Sequence, residues 1–465
     1  MMIGRYKMKK IDIKKVSDDI DLYKDKKIKF GGWIRYVRDL KKFGFISLTD
    51  GSSFKTAQIV VDQDIEGFDQ CMKLLPGSSI ICEGTIIATP EAKQPFEMKA
   101  EHIEILSKTD ESYPLQKKGS SFEFLREHAY LRGRTATFQA VYRIRSQAAL
   151  AIHKFFEQEG FTHVHAPILT TSDCEGGCEL YKVSTQDIYS GKPLKPEDEL
   201  LGKPVYLTPT GQMQGEALAM GLGKIYTFGP TFRAEDSRTP RHLTEFWHVE
   251  PEMAFYDLED DMELMEQMVK FIIKYILEKC PDELAFCDSF IEKGLIDRLQ
   301  ETLKEPFAKV SYTEAIELLK PHQSEFEYEI KWGEDLHTEQ ERFLTEKIFK
   351  QPVFVYDYPK DFKAFYMKIG KDGKTCRATD LLVSGIGELC GAGERECDLD
   401  ILKSRIKEFG LKEEDYWWYL KLREYGSVMH SGFGMGFDRL IMFLTGMKSI
   451  KDVIPFPRTP KSCEF

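Results

Sequence analysis

Between residues 27 and 106 apolar and polar positions alternate in five short runs separated by Gly, Pro and Asp. Lys27-Ile-Lys-Phe-Gly-Gly-Trp-Ile-Arg opens the series. Phe43-Gly-Phe-Ile-Ser-Leu-Thr-Asp leads into a turn at Asp50-Gly51, and runs from Ala57, Ser79 and Glu97 complete it. A period of two turns one face inward and the other to water, and five such strands fit a small closed barrel. Residues 107–135 are polar, with Pro114 and Gly119, and read as a hinge. Phe138, Val141, Ile144, Ala148, Ile152, Phe155 and Phe156 then recur at helical spacing, with Gly160 as the stop. Residues 161–169 read as a strand interrupted by Pro167.

The second half mixes both periods. A Gly-rich turn carries Glu175, a Pro- and Lys-rich surface insertion covers 186–204, and Thr208-Pro-Thr-Gly-Gln-Met-Gln-Gly-Glu216 leads into a short helix at 217–221. Residues 225–228 and 245–249 are β-branched and aromatic around a loop of Asp, Ser, Thr and Pro, which predicts two antiparallel strands with a long connection. Leu258, Met262, Met265, Met268, Val269, Ile272 and Ile276 form one helical stripe, opening an acidic helical insertion over about 257–345. Short hydrophobic runs at 353–360 and 364–368 return the chain to strands. The last feature is His430-Ser-Gly-Phe-Gly-Met-Gly-Phe-Asp-Arg439, a glycine run entering a helix.

Composition narrows the setting. With 465 residues, 42% hydrophobic and 30% charged, the chain suits two or three globular domains. No apolar run approaches the ~20 residues a membrane helix needs, and the basic start lacks the apolar core of a secretory signal. Ten cysteines without a framework point to a reducing cytoplasm. The pairs Cys174/Cys178 and Cys280/Cys287 lack the further ligands of a zinc site. Net charge is −11, yet residues 1–50 hold fourteen Lys/Arg against seven Asp/Glu. A basic front end on an acidic body fits a polyanionic partner met by the barrel.

The candidate chemistry gathers in residues 232–252, FRAEDSRTPRHLTEFWHVEPE. Arg233, Arg238 and Arg241 put planar, permanent cations at the mouth of the hairpin, suited to phosphate or carboxylate. Phe246 on the returning strand offers a face to a flat base. Asp380 and Glu388 place two carboxylates eight residues apart, with Arg395 seven further on. The glycine run is GxGxG without a following Lys-Ser/Thr, so it fits neither a dinucleotide fingerprint nor a P-loop.

The stretch FRxE…RH…EF resembles motif 2 of class II aminoacyl-tRNA synthetases, most closely their asparaginyl members. The helix and proline-broken strand at 138–169 resemble motif 1, which builds a homodimer interface in that family. The glycine run resembles motif 3, with Asp438 where the asparaginyl enzymes usually carry Glu. GWIRYVRDLKKFGFISLTD looks like the anticodon-binding OB domain of the aspartyl, asparaginyl and lysyl group. The resemblance spans essentially the whole chain. It implies an α+β protein in which an OB-fold barrel (1–106) and a hinge (107–135) precede a class II catalytic domain (136–465), an antiparallel sheet flanked by helices.

By the same resemblance the activity is ATP- and Mg²⁺-dependent activation of asparagine and its transfer to tRNA, in a cytoplasmic homodimer. Arg233 bridges the amino-acid carboxylate and the α-phosphate, and Glu235 reads the adenine amino group. Phe246 and Arg439 sandwich the adenine, Arg241 and His242 hold the outer phosphates, and Asp380 and Glu388 hold Mg²⁺. Glu175 and Gln212 take the α-ammonium, while Arg395 and Glu216 take the side-chain oxygen and NH₂. Arg38, Phe45 and Gln58 fall on the anticodon-contacting positions. His248 stands where the asparaginyl pattern has Met. An aspartyl enzyme, whether or not it also charges asparagine tRNA, and a silent paralogue that binds nucleic acid or asparagine, are the alternatives.

Overall fold

The structure, a computed structural model, describes residues 9–465 apart from 93, 116–118, 175, 192, 194 and 238. The chain divides into two compact units, residues 1–140 and 141–465.

The first unit is built on five strands, β1 (Lys27–Asp39), β2 (Phe43–Thr49), β3 (Ala57–Asp62), β4 (Ser79–Ala88) and β5 (Phe96–Ser107), closed in the order β1-β2-β3-β5-β4. Alternation holds strictly in β4, where Ile80, Cys82, Gly84 and Ile86 face a core shared with Phe30, Ile46, Ile59 and Met98. Closing so few strands needs sharp bends. β4 bends at a register shift between Glu83 and Gly84, where a side chain at Gly84 would run into the Lys99 carbonyl. The hinge expected over 107–135 contains two short helices, Phe122–Glu127 and Ala129–Arg132, the first capped by the Ser121 hydroxyl on Phe124 N–H. Their few turns carry too little apolar periodicity to be read from sequence.

The second unit is organised by an eight-stranded sheet. In chain order its strands are β6 (Thr162–His163), β10 (Lys224–Phe232), β11 (Glu245–Ala254), β12 (Ala308–Ser311), β13 (Val353–Tyr356), β14 (Ala378–Val383), β15 (Gly387–Glu394) and β16 (His430–Gly436). Three short strands, β7 (Leu169–Thr170), β8 (Lys182–Val183) and β9 (Val205–Leu207), form a separate small sheet. The large sheet runs β12-β13-β14-β15-β16-β11-β10-β6, antiparallel except for the parallel pairs β10/β6 and β12/β13. The helix Leu258–Lys279 opens with a capping box between Asp257 and Asp260, and its stripe from Leu258 to Ile276 is buried.

Three expectations change. The 257–345 region is not purely helical, because β12 adds a parallel edge strand to the sheet. Residues 364–368 form turns and a single bridge, Met367 to Arg395, rather than a strand. The helix expected at 217–221 begins at Gln212 and ends at Leu222, so Glu216 lies inside it. Residues 212–216 extend it toward its N-terminus, and the Glu250 carboxylate accepts from Gly211 N–H just ahead of them.

Candidate active site

The hairpin β10/β11 holds Thr231 opposite Phe246 and Gly229 opposite His248. Beyond Phe232 the backbone stays paired, Arg233 N–H donating to the Thr244 carbonyl at 3.0 Å. Arg233 therefore leaves the strand at a fixed point, with its guanidinium carbon 5.5 Å from the Phe246 ring centroid. Across β16 the chain enters the helix Phe437–Thr445, which carries Arg439. Asp438 locks this junction: its carboxylate accepts from Arg145 Nη1 at 2.5 Å and from Trp247 N–H at 3.0 Å. The motif 3 acid is thus a strand-to-helix anchor.

These elements wall a cavity of about 450 Å³, large enough for a nucleotide and a small acid. Gln212, Arg233, Glu235, Arg241, His242, Phe246, Asp380, Glu388, Arg395 and Arg439 all line it. Glu175 lies outside the described residues. Glu216 is not on the wall. It is fully buried, and its two oxygens accept from Gln212 Nε2, Tyr419 OH, Arg423 Nη2 and His430 Nε2. The expectation of a direct contact between Glu216 and the amino acid is corrected accordingly, since its acceptor positions are already filled.

Arg395 reaches the cavity but is not a free donor. Glu252 meets its Nε and Nη2, while Nη1 points to Met367 Sδ at 3.7 Å. Arg241 sits between Glu341, Ile386 and Thr338, its terminal nitrogens donating to the Ile386 carbonyl and the Thr338 hydroxyl. Burial and the cations Arg439 and Arg241 push the His242 imidazole down to about 4, so it stands neutral at pH 7.

The glycine run acquires a packing reason. A Cβ on Gly434 would stand 2.6 Å from the His248 ring, and one on Gly432 would collide with the Glu252 carboxylate. The glycines clear room for two neighbours on β11. His248, unexplained by sequence, lies over Gly434 with Nδ1 3.1 Å from Glu250 Oε1. Glu250 in turn accepts from the Thr210 hydroxyl, Gly211 N–H and the Thr227 hydroxyl, fixing the loop that launches Gln212. Burial opposes its charge, but His248 and these donors hold its carboxyl down at about 2.

Asp380 and Glu388 converge above Gly391. A Cβ there would stand 3.3 Å from Glu388 Oε1 and 3.5 Å from Asp380 Oδ1. Burial and the Glu388 charge raise Asp380 to about 6 against the pull of Lys363, whose ammonium lies 2.7 Å from Oδ2. Glu388 is held at about 2, burial being outweighed by Arg439 and Lys363. Two hard carboxylate oxygens facing one point suit Mg²⁺ that also takes phosphate oxygens. Among the described residues no group of three or more His, Cys, Asp or Glu side chains could hold a metal by itself.

Sequence reasoning missed several wall residues. Lys363, Tyr366 and Met367 come from turns, and Asp335 and Glu341 from the insertion. A lone lysine in a polar turn has no periodic signal. Glu250 and Glu252 stood inside the motif 2 stretch, where alternation with Val249 and Pro251 did not reveal which acids were buried.

On the barrel, Arg38 is opposite Phe45 across β1/β2, and Phe45 is opposite Val60 across β2/β3. Gln58, two residues before Val60, shares that face, although its Nε2 donates to Glu97 Oε1 at 2.7 Å. Phe43 meets Phe45 edge-on at 5.4 Å and is 36% exposed. Trp33 on β1 is 44% exposed.

A family profile for class II tRNA synthetases (D, K and N) matches residues 121–460, and one for the OB-fold nucleic-acid-binding domain matches 28–106. The chain belongs to the class II tRNA synthetases. This class II chain is 52% identical over 464 residues to the asparagine–tRNA ligase of Alkaliphilus metalliredigens, covering 98% of this chain and 100% of the relative. The asparagine–tRNA ligase of Bacillus cytotoxicus is 53% identical over 458 residues, 97% and 99% of the two chains. Among solved class II structures, the asparaginyl-tRNA synthetase of Pyrococcus horikoshii complexed with asparaginyl-adenylate superposes with a TM-score of 0.87 at 35% identity, covering 98% of this chain and 99% of that one.

Proposed function

We propose that this protein joins L-asparagine to tRNA(Asn) through an asparaginyl-adenylate. The observation that carries the reading is the cavity in which Arg233, Phe246 and Arg439 stand together with Arg395, in a chain whose relatives share its full length. In the first step an oxygen of the asparagine carboxylate attacks the α-phosphorus of ATP and pyrophosphate departs. In the second, a ribose hydroxyl of the terminal adenosine attacks the adenylate carbonyl and AMP leaves.

The carboxylate is its own nucleophile, so catalysis rests on positioning two anions and offsetting their repulsion. Arg233 bridges carboxylate and α-phosphate. Phe246 and Arg439 enclose the adenine, Glu235 reads its amino group, and Arg241 with neutral His242 meets the outer phosphates. Gln212 takes the α-ammonium and Arg395 the side-chain oxygen. Asp380 and Glu388 would hold Mg²⁺, which supplies charge neutralisation for the departing pyrophosphate. On the barrel, Arg38, Phe45 and Gln58 meet the anticodon, because aromatic faces and cations suit splayed bases.

The chain acts as a homodimer through its motif 1 region. The exposed apolar side chains Leu150, Ile168 and Leu169 support a covered face there, and light scattering should give twice the 53.8 kDa chain mass. No helix among the described residues is long and apolar enough to cross a membrane. The test of the reading is charging: labelled asparagine, ATP, Mg²⁺ and tRNA(Asn) transcript should yield acid-precipitable product, and its absence with folded protein refutes it.

A further inference from the structure

Glu216 lies behind the cavity wall and is surrounded by donors. Tyr419 OH lies 2.9 and 2.8 Å from its two oxygens, Arg423 Nη2 at 3.0 Å and His430 Nε2 at 2.9 Å. Tyr419 and Arg423 are four residues apart on the helix Trp417–Glu424, and Arg423 Nη2 also donates to Tyr419 OH at 2.9 Å. That donation commits the tyrosine proton to Glu216. His430 is cationic by geometry, since its Nδ1 faces the Val428 carbonyl at 2.8 Å while Nε2 faces the carboxylate. A neutral imidazole has one N–H and cannot serve two acceptors. Flanked by this cation and by a guanidinium that does not deprotonate, Glu216 is an anion that only accepts.

The fourth partner is Gln212, whose Nε2 lies 3.0 Å from Glu216 Oε1. Oxygen and nitrogen of an amide are told apart only by their partners. Beside an acceptor-only carboxylate the NH₂ must point inward. The Gln212 carbonyl oxygen is then left toward the cavity, and Gln212, unlike Glu216, is on its wall.

We propose that Tyr419, Arg423 and His430 are positioning residues for the amino acid: they fix Glu216 as an anion, and Glu216 acts through Gln212 by turning its carbonyl oxygen to a nitrogen donor of the substrate. The inference rests on the functional reading above and extends it, because it assigns Glu216 an indirect role and brings three distant residues into amino-acid recognition. None of the three lines the cavity, so none is a catalytic residue.

The test is a double-mutant cycle in ATP–pyrophosphate exchange with asparagine. Glu216→Gln gives the position a side chain that can donate or accept, so Gln212 can flip. It should raise the asparagine KM about tenfold and leave the ATP KM within twofold. In a Gln212→Ala background the same change should add less than twofold, because the relay has no end to act on. Tyr419→Phe, which keeps the ring, should show the same pattern at about threefold and covers the case in which Glu216→Gln fails to fold. Full additivity with Gln212→Ala, or an ATP KM that rises in step, overturns the proposal. Exchange by the parent with asparagine is the separate control: its absence would sink the functional reading, whereas additivity with an active parent sinks only the relay.

Discussion

Arg395 and Glu252 meet side by side, Nη2 to Oε1 at 2.5 Å and Nε to Oε2 at 3.2 Å, both nearly sealed from water. A planar guanidinium gripped along its Nε–Nη2 edge leaves Nη1 outside that pair, and Nη1 looks toward Met367. Glu252 thus orients the group proposed to meet the amino-acid side chain. Lysine cannot span two oxygens in this way. Arg395→Lys should lower kcat/KM for asparagine about 100-fold, near 3 kcal/mol, with the ATP KM within twofold. Equal shifts in both constants would show that Arg395 supports the fold rather than the substrate. Glu252→Ala should cost about 3–5 kcal/mol in chemical denaturation, because it strands a buried cation.

Arg233→Ala should abolish asparagine-dependent exchange while circular dichroism and the melting transition stay at the parent's. The guanidinium leaves β10 at a point fixed by the Arg233–Thr244 backbone pair, which the substitution retains. Exchange within a few-fold of the parent would remove Arg233 from the reaction.

His430 gives a pH dependence of stability. Burial opposes its charge, but Cys397 and the Glu216 carboxylate prevail and raise it to about 9, with Arg423 pulling the other way. The Val428 carbonyl and the Cys397 thiol at Nδ1, Glu216 at Nε2, and the charges of Arg423 and Glu252 are the groups that face it. A base raised in the folded state stabilises fully below its unfolded value near 6.5, and that contribution is lost as pH climbs through about 9. Between pH 6.5 and 9.5 the parent should lose about 2–3 kcal/mol from this group. His430→Gln should flatten that decline, and an unchanged slope would mean that the imidazole is neutral.

Phe45→Ala should weaken tRNA charging by about 1–3 kcal/mol, the worth of one stacked base. Exchange, which needs no tRNA, should stay at the parent's rate. Equal losses in both assays would make Phe45 a folding residue of the barrel.

Much of this was legible where one physical rule dominates. Alternation located the barrel strands, and the spacing of Phe138 to Phe156 located the helix Ala136–Gln158 to within two residues. FRxE, its returning Phe246 and the motif 3 arginine converge on one cavity because β10, β11 and β16 are sheet neighbours. What sequence could not supply was burial of charge. Glu216 reads as a direct substrate contact and Glu250 as one acid among several in its stretch, and only folding shows which cations and hydroxyls surround them. The same limit hid Lys363 and Glu341, which come from a turn and from the insertion. Gly432 and Gly434 fit no phosphate-binding pattern in the sequence, and what they clear is space for Glu252 and His248.

The proposed activity requires that the cavity take asparagine and refuse aspartate. Around Arg395 stands a buried set in which Glu252 and Glu216 already engage the cations, so a second carboxylate would arrive where the positive charge is partnered. A site built from such polar pairs discriminates by roughly 10⁴–10⁵. The most direct measurement is ATP–pyrophosphate exchange by the purified protein, with asparagine and aspartate compared at equal concentration. Exchange with asparagine at least about 10,000-fold above aspartate in kcat/KM, the lower end of that range, is the predicted result. Comparable exchange with both, or exchange with aspartate alone, would contradict it.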